Sequence, residues 1–307
     1  MLKPRRLQPG DRLAVVAPAS PFDHREFDAG VAEIRRLGFE PVFDESVFDR
    51  RRYVAGAPDV RAAALRRAWV DPSIAGVIAV RGGYGSAQVL PLLDAREAAE
   101  ARKPFIGYSD LTAVLTFLGG YCNLVAFHGP MLEGRLSRGD AGYDRQSLLA
   151  AVCTPNAMGE LAAPALQTLR PGDAVGPLFG GTVTQLLASL ATPFAFAPPR
   201  GYLLFFDEIG ERPYRLDRMV TQLRQSGLLA RAAGIVIGEL PRCDEPSGDL
   251  TAVAVMAEVL ADFPGPVVIG FPSGHTEGPA LTLPFGVRCR LVAEREPRLV
   301  IEEAAVE

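Results

Sequence analysis

The sequence predicts an α/β protein with a parallel-sheet N-terminal domain and a second α/β domain whose sheet is mixed. Three observations predict it. Over the first 130 residues short apolar segments alternate with stretches of helical spacing, the βαβα succession that builds a parallel sheet with helices on both faces. Between residues 132 and 176 this order loosens around Gly134, Gly139, Gly142, Pro155, Pro164, Pro171 and Gly172. Beyond it apolar and helical segments resume, and three late segments read as extended.

Taken in order, Arg12–Ala17 reads as the first strand. Glu26–Leu37 carries apolar residues at helical spacing and stops at Gly38, a residue suited to a helix C-terminus. Pro41–Phe43 is the second strand. Asp59–Trp69, with Pro58 near its start, is a helix, and Ala75–Val80 is a strand of the fully buried type. Gln88–Leu93 reads as helical, Phe105–Gly107 as extended, and Leu111–Leu118 as helical. In the second half a helix is expected at Val183–Ser189, a strand at Tyr202–Phe206, and a helix at Arg215–Gln225 stopped by Gly227. A strand at Gly234–Ile237 and a helix at Val253–Leu260 follow; Val267–Ile269, Val287–Val292 and Leu299–Glu302 are the late extended segments. This division gives domains at 1–135 and 177–307, joined by a linker region at 136–176.

A chain of 307 residues with 48% hydrophobic and 22% charged residues supports a substantial core. Its formal net charge of −4, with arginines in short scattered groups such as Arg50–Arg52 and Arg66–Arg67, argues against a nucleic-acid partner. No stretch approaches the roughly 20 apolar residues of a membrane span. The apolar run Leu13–Ser20 is too short for a signal peptide and abuts Asp11 and Arg12, so it reads as a strand running into a turn. Cys122, Cys153, Cys243 and Cys289 are widely spaced, with neither a disulfide framework nor a zinc pattern, and read as free thiols in a cytoplasmic protein. No metal or cofactor is expected.

The residues that carry chemistry begin with Gly107-Tyr108-Ser109-Asp110. A serine between a short strand and a helix presents its hydroxyl at the C-terminal edge of a parallel sheet, beside free helical N–H groups. Of three histidines, His275 lies in a loop after a buried strand, where catalytic groups are commonly displayed. His24 sits in a polar turn and reads as incidental. His128, after another apolar segment, either lines a pocket or bonds the backbone. Asp207 and Glu208 end the apolar strand Leu203–Phe206; adjacent strand residues point to opposite faces, so one of them can face a site, and spacing leaves the choice open. Arg81-Gly82-Gly83-Tyr84-Gly85-Ser86 follows the strand ending at Val80. It offers backbone N–H groups to an anion, without the spacing of a P-loop or a dinucleotide fingerprint.

Together these stretches resemble the LD-carboxypeptidase family, serine peptidases of murein recycling with microcin-immunity relatives. The resemblance runs in order through Val16–Ser20, Arg81–Gly85, Gly107–Asp110, His128–Met131, Gly180-Gly181, Asp207–Glu211 with Pro213–Arg218, Gly274-His275 and Leu283–Gly286. It implies a flavodoxin-like first domain, a C-terminal α/β domain, a site at their junction and a homodimer. It also implies a Ser–His–Glu triad with Ser109 as nucleophile and His275 as base. Here the chain departs from the family's Leu-Glu-Asp: ungapped alignment puts Asp207 at the glutamate, and a one-residue bulge would offer Glu208. Thr182 and Ala280 stand where the family commonly has Asn, which bears on substrate contacts.

The activity so implied is release of terminal D-alanine from a murein tetrapeptide, by cleavage after an L-centre. The N–H groups of Asp110 and of Gly82 or Gly83 would bind the oxyanion, and Arg81 either meets the substrate carboxylate or forms a structural ion pair. Two other readings are a microcin-type peptidase acting on aminoacyl-nucleotide analogues and a non-catalytic binder of small anions at the Arg81–Ser86 turn. Replacing Ser109 by Ala separates a hydrolase from a binder.

Overall fold

Side-chain caps at Asp23, Asp94, Asp144 and Thr251 set the starts of four of the helices, and proline in the first turn opens two others. In the computed structural model, which describes residues 1–161 and 163–307, strand β1 (Arg12–Val16) leads to α1 (His24–Arg36). Asp23 caps α1 by accepting from the N–H groups of Arg25 and Glu26. Next come β2 (Glu40–Val42), α2 (Pro58–Val70, with proline in its first turn), β3 (Gly76–Ala79) and α3 (Ala95–Ala101). Then follow β4 (Phe105–Gly107), α4 (Thr112–Gly120) and β5 (Ala126–His128).

These strands form a sheet of order β2-β1-β3-β4-β5, all parallel, the doubly wound order of flavodoxin-like domains. One strand from the far end of the chain completes it. β12 (Leu283–Phe285) pairs antiparallel with β5, Leu283 opposite His128.

Residues 136–176, expected to be a passage between domains, hold regular structure: α5 (Arg145–Cys153), β6 (Ala157–Leu161), β7 (Gln167–Arg170) and the start of β8 (Gly172–Thr182). The chain continues through α6 (Val183–Ser189), β9 (Tyr202–Asp207), α7 (Pro213–Gln225), β10 (Ala232–Gly238), α8 (Ala252–Val259) and β11 (Val267–Phe271). It ends, after β12, with β13 (Arg288–Ala293) and β14 (Arg298–Ala304). The second sheet has the order β6-β14-β13-β8-β9-β10-β11-β7. Its centre, β8 to β11, is parallel and its flanks are antiparallel, so it is mixed as expected.

The stretch Gln88–Leu93, expected to be helical, forms two 3₁₀ turns, Ser86–Gln88 and Leu90–Leu92. Pro91 supplies no N–H to a longer helix.

Two hydrophobic cores result, and β9 divides between them by simple alternation. Leu203 and Phe205 pack into the core shared with the first sheet. Tyr202, Leu204 and Phe206 pack with Leu216, Leu223 and Met256 of α7 and α8. The face of β9 that bears odd-numbered residues therefore looks toward the first sheet.

Candidate active site

Ser109 lies two residues beyond the C-terminal end of β4, and Tyr108 is extended before it. Its φ is +63°, a left-handed conformation that costs a side-chain-bearing residue about 1–2 kcal/mol. The strained turn from strand to helix lifts the hydroxyl clear of the sheet edge. The neighbouring glycines are there for space. A Cβ on Gly82 would lie 2.9 Å from the Ser109 Cβ and 3.1 Å from its Oγ, so the Arg81–Ser86 backbone runs directly against the serine.

The serine's partner comes from the other half of the chain. His275 Nε2 is 3.1 Å from Ser109 Oγ, and His275 Nδ1 is 2.7 Å from Asp207 Oδ2. The His275 backbone N–H donates to the same Oδ2 at 2.7 Å, and Thr182 Oγ1 donates to Oδ1 at 2.8 Å. Asp207 is fully buried at the end of β9 and His275 is nearly so. Burial pushes the Asp207 carboxyl up, but the charge of His275 and its two hydrogen bonds outweigh this and hold it well below the usual carboxylate range. For His275 burial lowers the pKa, but the Asp207 charge and hydrogen bond outweigh this and leave it above the ordinary imidazole value. An ionised Asp207 accepts from Nδ1–H, so the Nε2 lone pair faces the serine hydroxyl. This arrangement can take a proton from Ser109 and hold the resulting imidazolium.

The approach of the two residues requires glycine at 274. Its φ is +69°, and a Cβ there would sit 2.2 Å from Asp207 Oδ2 and 2.6 Å from His128 Cε1.

Glu208 does not contact the histidine. Following the alternation of β9, it turns to the start of α6, where its carboxylate accepts from the Thr184 N–H (3.1 Å), the Thr184 hydroxyl (2.5 Å) and the Ile209 N–H (3.0 Å). Burial raises its pKa against these donors. The bulge that would have brought Glu208 to the site is absent from the β8–β9 register, which pairs Thr182 with Asp207 without interruption.

The other expected residues fall as follows. Asp110 is buried with its side chain directed at Ser86, whose N–H donates to Oδ2 (2.8 Å) and whose hydroxyl donates to the Asp110 carbonyl (2.5 Å). These bonds tie the serine turn to the glycine turn. Gly83 has φ +94° and packs on Ser20 Oγ. Arg81 makes an ion pair with Glu133 (3.1 Å) and donates to the Pro21 carbonyl (3.1 Å), its side chain 43% exposed.

His128 is fully buried and held neutral, burial driving its pKa down to about 4. The Ser273 hydroxyl donates to the Leu281 carbonyl, so His128 Nδ1–H donates to Ser273 Oγ (3.2 Å). His128 is a structural member of the site's floor, packed on Phe205 and Phe285. His24, at the start of α1, stacks on Phe48 away from the site. Ala280 is buried and exchanges backbone bonds with Gly142 and Asp144.

Two residues at the site carry roles the sequence did not suggest. Thr182 is Asp207's second support; its position at the end of β8, opposite the acid, is readable only from strand pairing. Arg135 sends its guanidinium into the His275 loop, and its carbonyl partners leave no trace in sequence.

The LD-carboxypeptidase N-terminal domain matches residues 13–129 and the LD-carboxypeptidase C-terminal domain matches residues 175–291. A probable murein peptide carboxypeptidase of Bacillus subtilis is 32% identical over 298 residues, 94% of this chain and 91% of its own. The crystal structure of a muramoyltetrapeptide carboxypeptidase from Oxalobacter formigenes superposes with a TM-score of 0.82 at 27% identity, covering 94% of this chain and 97% of that one. The microcin C7 self-immunity protein MccF, in its wild-type apo state, shares the fold over 100% of both chains, with a TM-score of 0.93 at 22% identity. Both halves matched in order, with a relative at this identity along nearly the whole length, establish that the chain belongs to the LD-carboxypeptidase family.

Proposed function

We propose that this protein is a serine carboxypeptidase that releases the terminal D-alanine of a murein tetrapeptide, cleaving after an L-centre such as that of diaminopimelate or L-lysine. One observation carries the reading: an unbroken hydrogen-bonded run from Ser109 Oγ through His275 to a buried, ionised Asp207. His275 Nε2 takes the hydroxyl proton as Ser109 Oγ attacks the penultimate carbonyl, and Asp207 holds the imidazole in its productive tautomer.

The developing oxyanion is assigned to the Asp110 N–H, at the first turn after the serine, and to the N–H of Gly82 or Gly83. The contact between Gly82 and the serine supports this assignment. Each such donor is worth about 3 kcal/mol in the transition state. His275 then gives its proton to the departing D-alanine amine, and water, deprotonated by the same imidazole, hydrolyses the acyl-enzyme. Arg81 is the proposed electrostatic partner of the substrate's terminal carboxylate; its partial exposure supports this, and its ion pair to Glu133 fixes the side chain. On the family resemblance the enzyme acts in the cytoplasm as a homodimer, and light scattering on the purified protein should give the mass of two chains. Among the described residues no helix is long and apolar enough to cross a membrane.

The test is D-alanine release from purified murein tetrapeptide by the parent and by Ser109→Ala. Release that disappears in the folded variant is expected. A folded parent that releases none refutes the murein substrate, and aminoacyl sulfamoyl nucleotides are then assayed.

A further inference from the structure

The serine and the histidine belong to different parts of the chain, 166 residues apart, and something must hold them at 3.1 Å. The segment after β5 runs beside the end of β3, with the Leu132 and Glu133 N–H groups donating to the carbonyls of Ala79 and Val80. From this segment Glu133 reaches the glycine turn through Arg81, and two residues later Arg135 reaches the histidine loop.

Arg135 is 5% exposed and uses all five of its N–H groups. Nη2 donates to the carbonyls of Gly274 (2.7 Å) and Thr276 (2.8 Å), the two residues flanking His275. Nη1 donates to the carbonyls of Gly278 (3.1 Å) and Gly142 (3.2 Å), and Nε to the Tyr108 hydroxyl (3.3 Å). Tyr108 precedes the serine, and its ring packs edge-on against His275 with centroids 5.2 Å apart. One guanidinium thus grips both sides of the base and the residue before the nucleophile.

Its five acceptors are all uncharged, and among the described residues it makes no ion pair. A buried cation without a counter-ion is costly, and a merely structural bridge would be cheaper with a neutral side chain. We propose that Arg135 is a positioning residue that sets the separation of Ser109 and His275 and keeps a positive charge behind the imidazole. The proposal rests on the serine-hydrolase reading above and extends it to a residue that does not touch substrate.

The charge has a consequence of definite sign. Facing His275 are Asp207 on β9, with Glu208 beyond it, both favouring the imidazolium. Opposing it are Arg135 and burial. The Tyr108 ring and Ser109 from the serine turn, and neutral His128 from β5, complete the surroundings, while in the histidine loop the Glu277 backbone N–H donates to the Glu239 carboxylate (3.2 Å). Removing the Arg135 charge therefore raises the His275 pKa.

The test uses Arg135→Met and Arg135→Lys in the full chain, with two readouts. One is the pH profile of kcat/KM for D-alanine release. The other is the rate at which a fluorophosphonate probe acylates Ser109, which needs no knowledge of the natural substrate. Arg135→Met should lose about 100-fold in both, the effect of a displacement near 1 Å at a reacting pair, and its acid limb should move to higher pH. Arg135→Lys keeps the charge but has three donors for five acceptors. It should lose about tenfold with the acid limb at the parent position. If Arg135→Met does not fold, the lysine variant and its limb decide.

Rates within about threefold of the parent in the folded variants, or an acid limb that stays put in Arg135→Met, would overturn the positioning role alone. A parent that neither releases D-alanine nor takes up the probe would refute the serine-hydrolase reading, and this role with it.

Discussion

Asp207→Asn is the sharpest perturbation of the site because it changes charge while keeping shape. The carboxylate accepts three hydrogen bonds, two from His275 on Oδ2 and one from Thr182 on Oδ1. An amide that keeps its oxygen toward His275 satisfies both N–H donors, and the Thr182 hydroxyl can rotate to accept from the new NH₂, so the geometry survives. What is lost is the attraction between carboxylate and imidazolium as the proton leaves Ser109. Two unit charges about 4 Å apart at an effective dielectric near 20 interact by about 4 kcal/mol, which is on the order of a 10³-fold loss in kcat. The acid limb of kcat/KM gives an independent reading. The base must be neutral, so activity falls as pH drops through the His275 pKa, which Asp207 holds above the ordinary value near 6.5. With Asn that support is gone and the limb moves to lower pH, while the plateau drops. D-alanine release measured across pH, with circular dichroism to confirm folding, decides it. A variant that keeps more than about a tenth of parent activity, or whose limb does not move down, refutes the assignment of Asp207. Glu208→Gln is the control: it faces Thr184, and its activity should stay within about fivefold of the parent.

Gly82→Ala should separate activity from stability. The glycine's φ lies outside the left-handed region, so alanine fits the backbone, but its Cβ would crowd Ser109 at 2.9 Å. We expect about a 100-fold loss of kcat/KM, with little change in Tm; unchanged activity would remove the glycine turn from the site. Thr182→Val deletes one donor to the buried carboxylate. It should cost about 1.5–3 kcal/mol of stability, read from urea denaturation, and an unchanged midpoint would mean the bond contributes nothing.

The fold was legible where local pattern decides it. The strands and helices of the first domain follow from apolar runs and from stops such as Gly38, and α6 was expected with the limits it has. The failures are non-local. Residues 136–176 look like a passage because of their glycines and prolines, yet β6 pairs with β14 and β7 with β11, partners roughly a hundred or more residues later that no local window contains. Helix α3 went unmarked although Asp94 caps it, since alanine and charged residues offer little apolar periodicity.

At the site, the serine and histidine were readable from their turns. The choice between Asp207 and Glu208 needed one further fact, namely which face of β9 meets the first sheet; Leu203 and Phe205 supply it. Thr182, weighed as a lost substrate contact, instead supports the acid. Arg135 was hidden among many arginines because its partners are main-chain carbonyls, which any sequence supplies.

The β5–β12 ladder bears on how such an enzyme admits its substrate. The strand that closes the first sheet begins eight residues after His275, and Leu283 pairs with His128. The two halves are thus interlocked like folded hands. Prising them apart would tear a strand from its sheet and undo the histidine loop in one motion. Any movement of one half against the other would have to break this ladder. Neither residues 1–135 nor residues 177–307, expressed alone, would carry a complete first sheet.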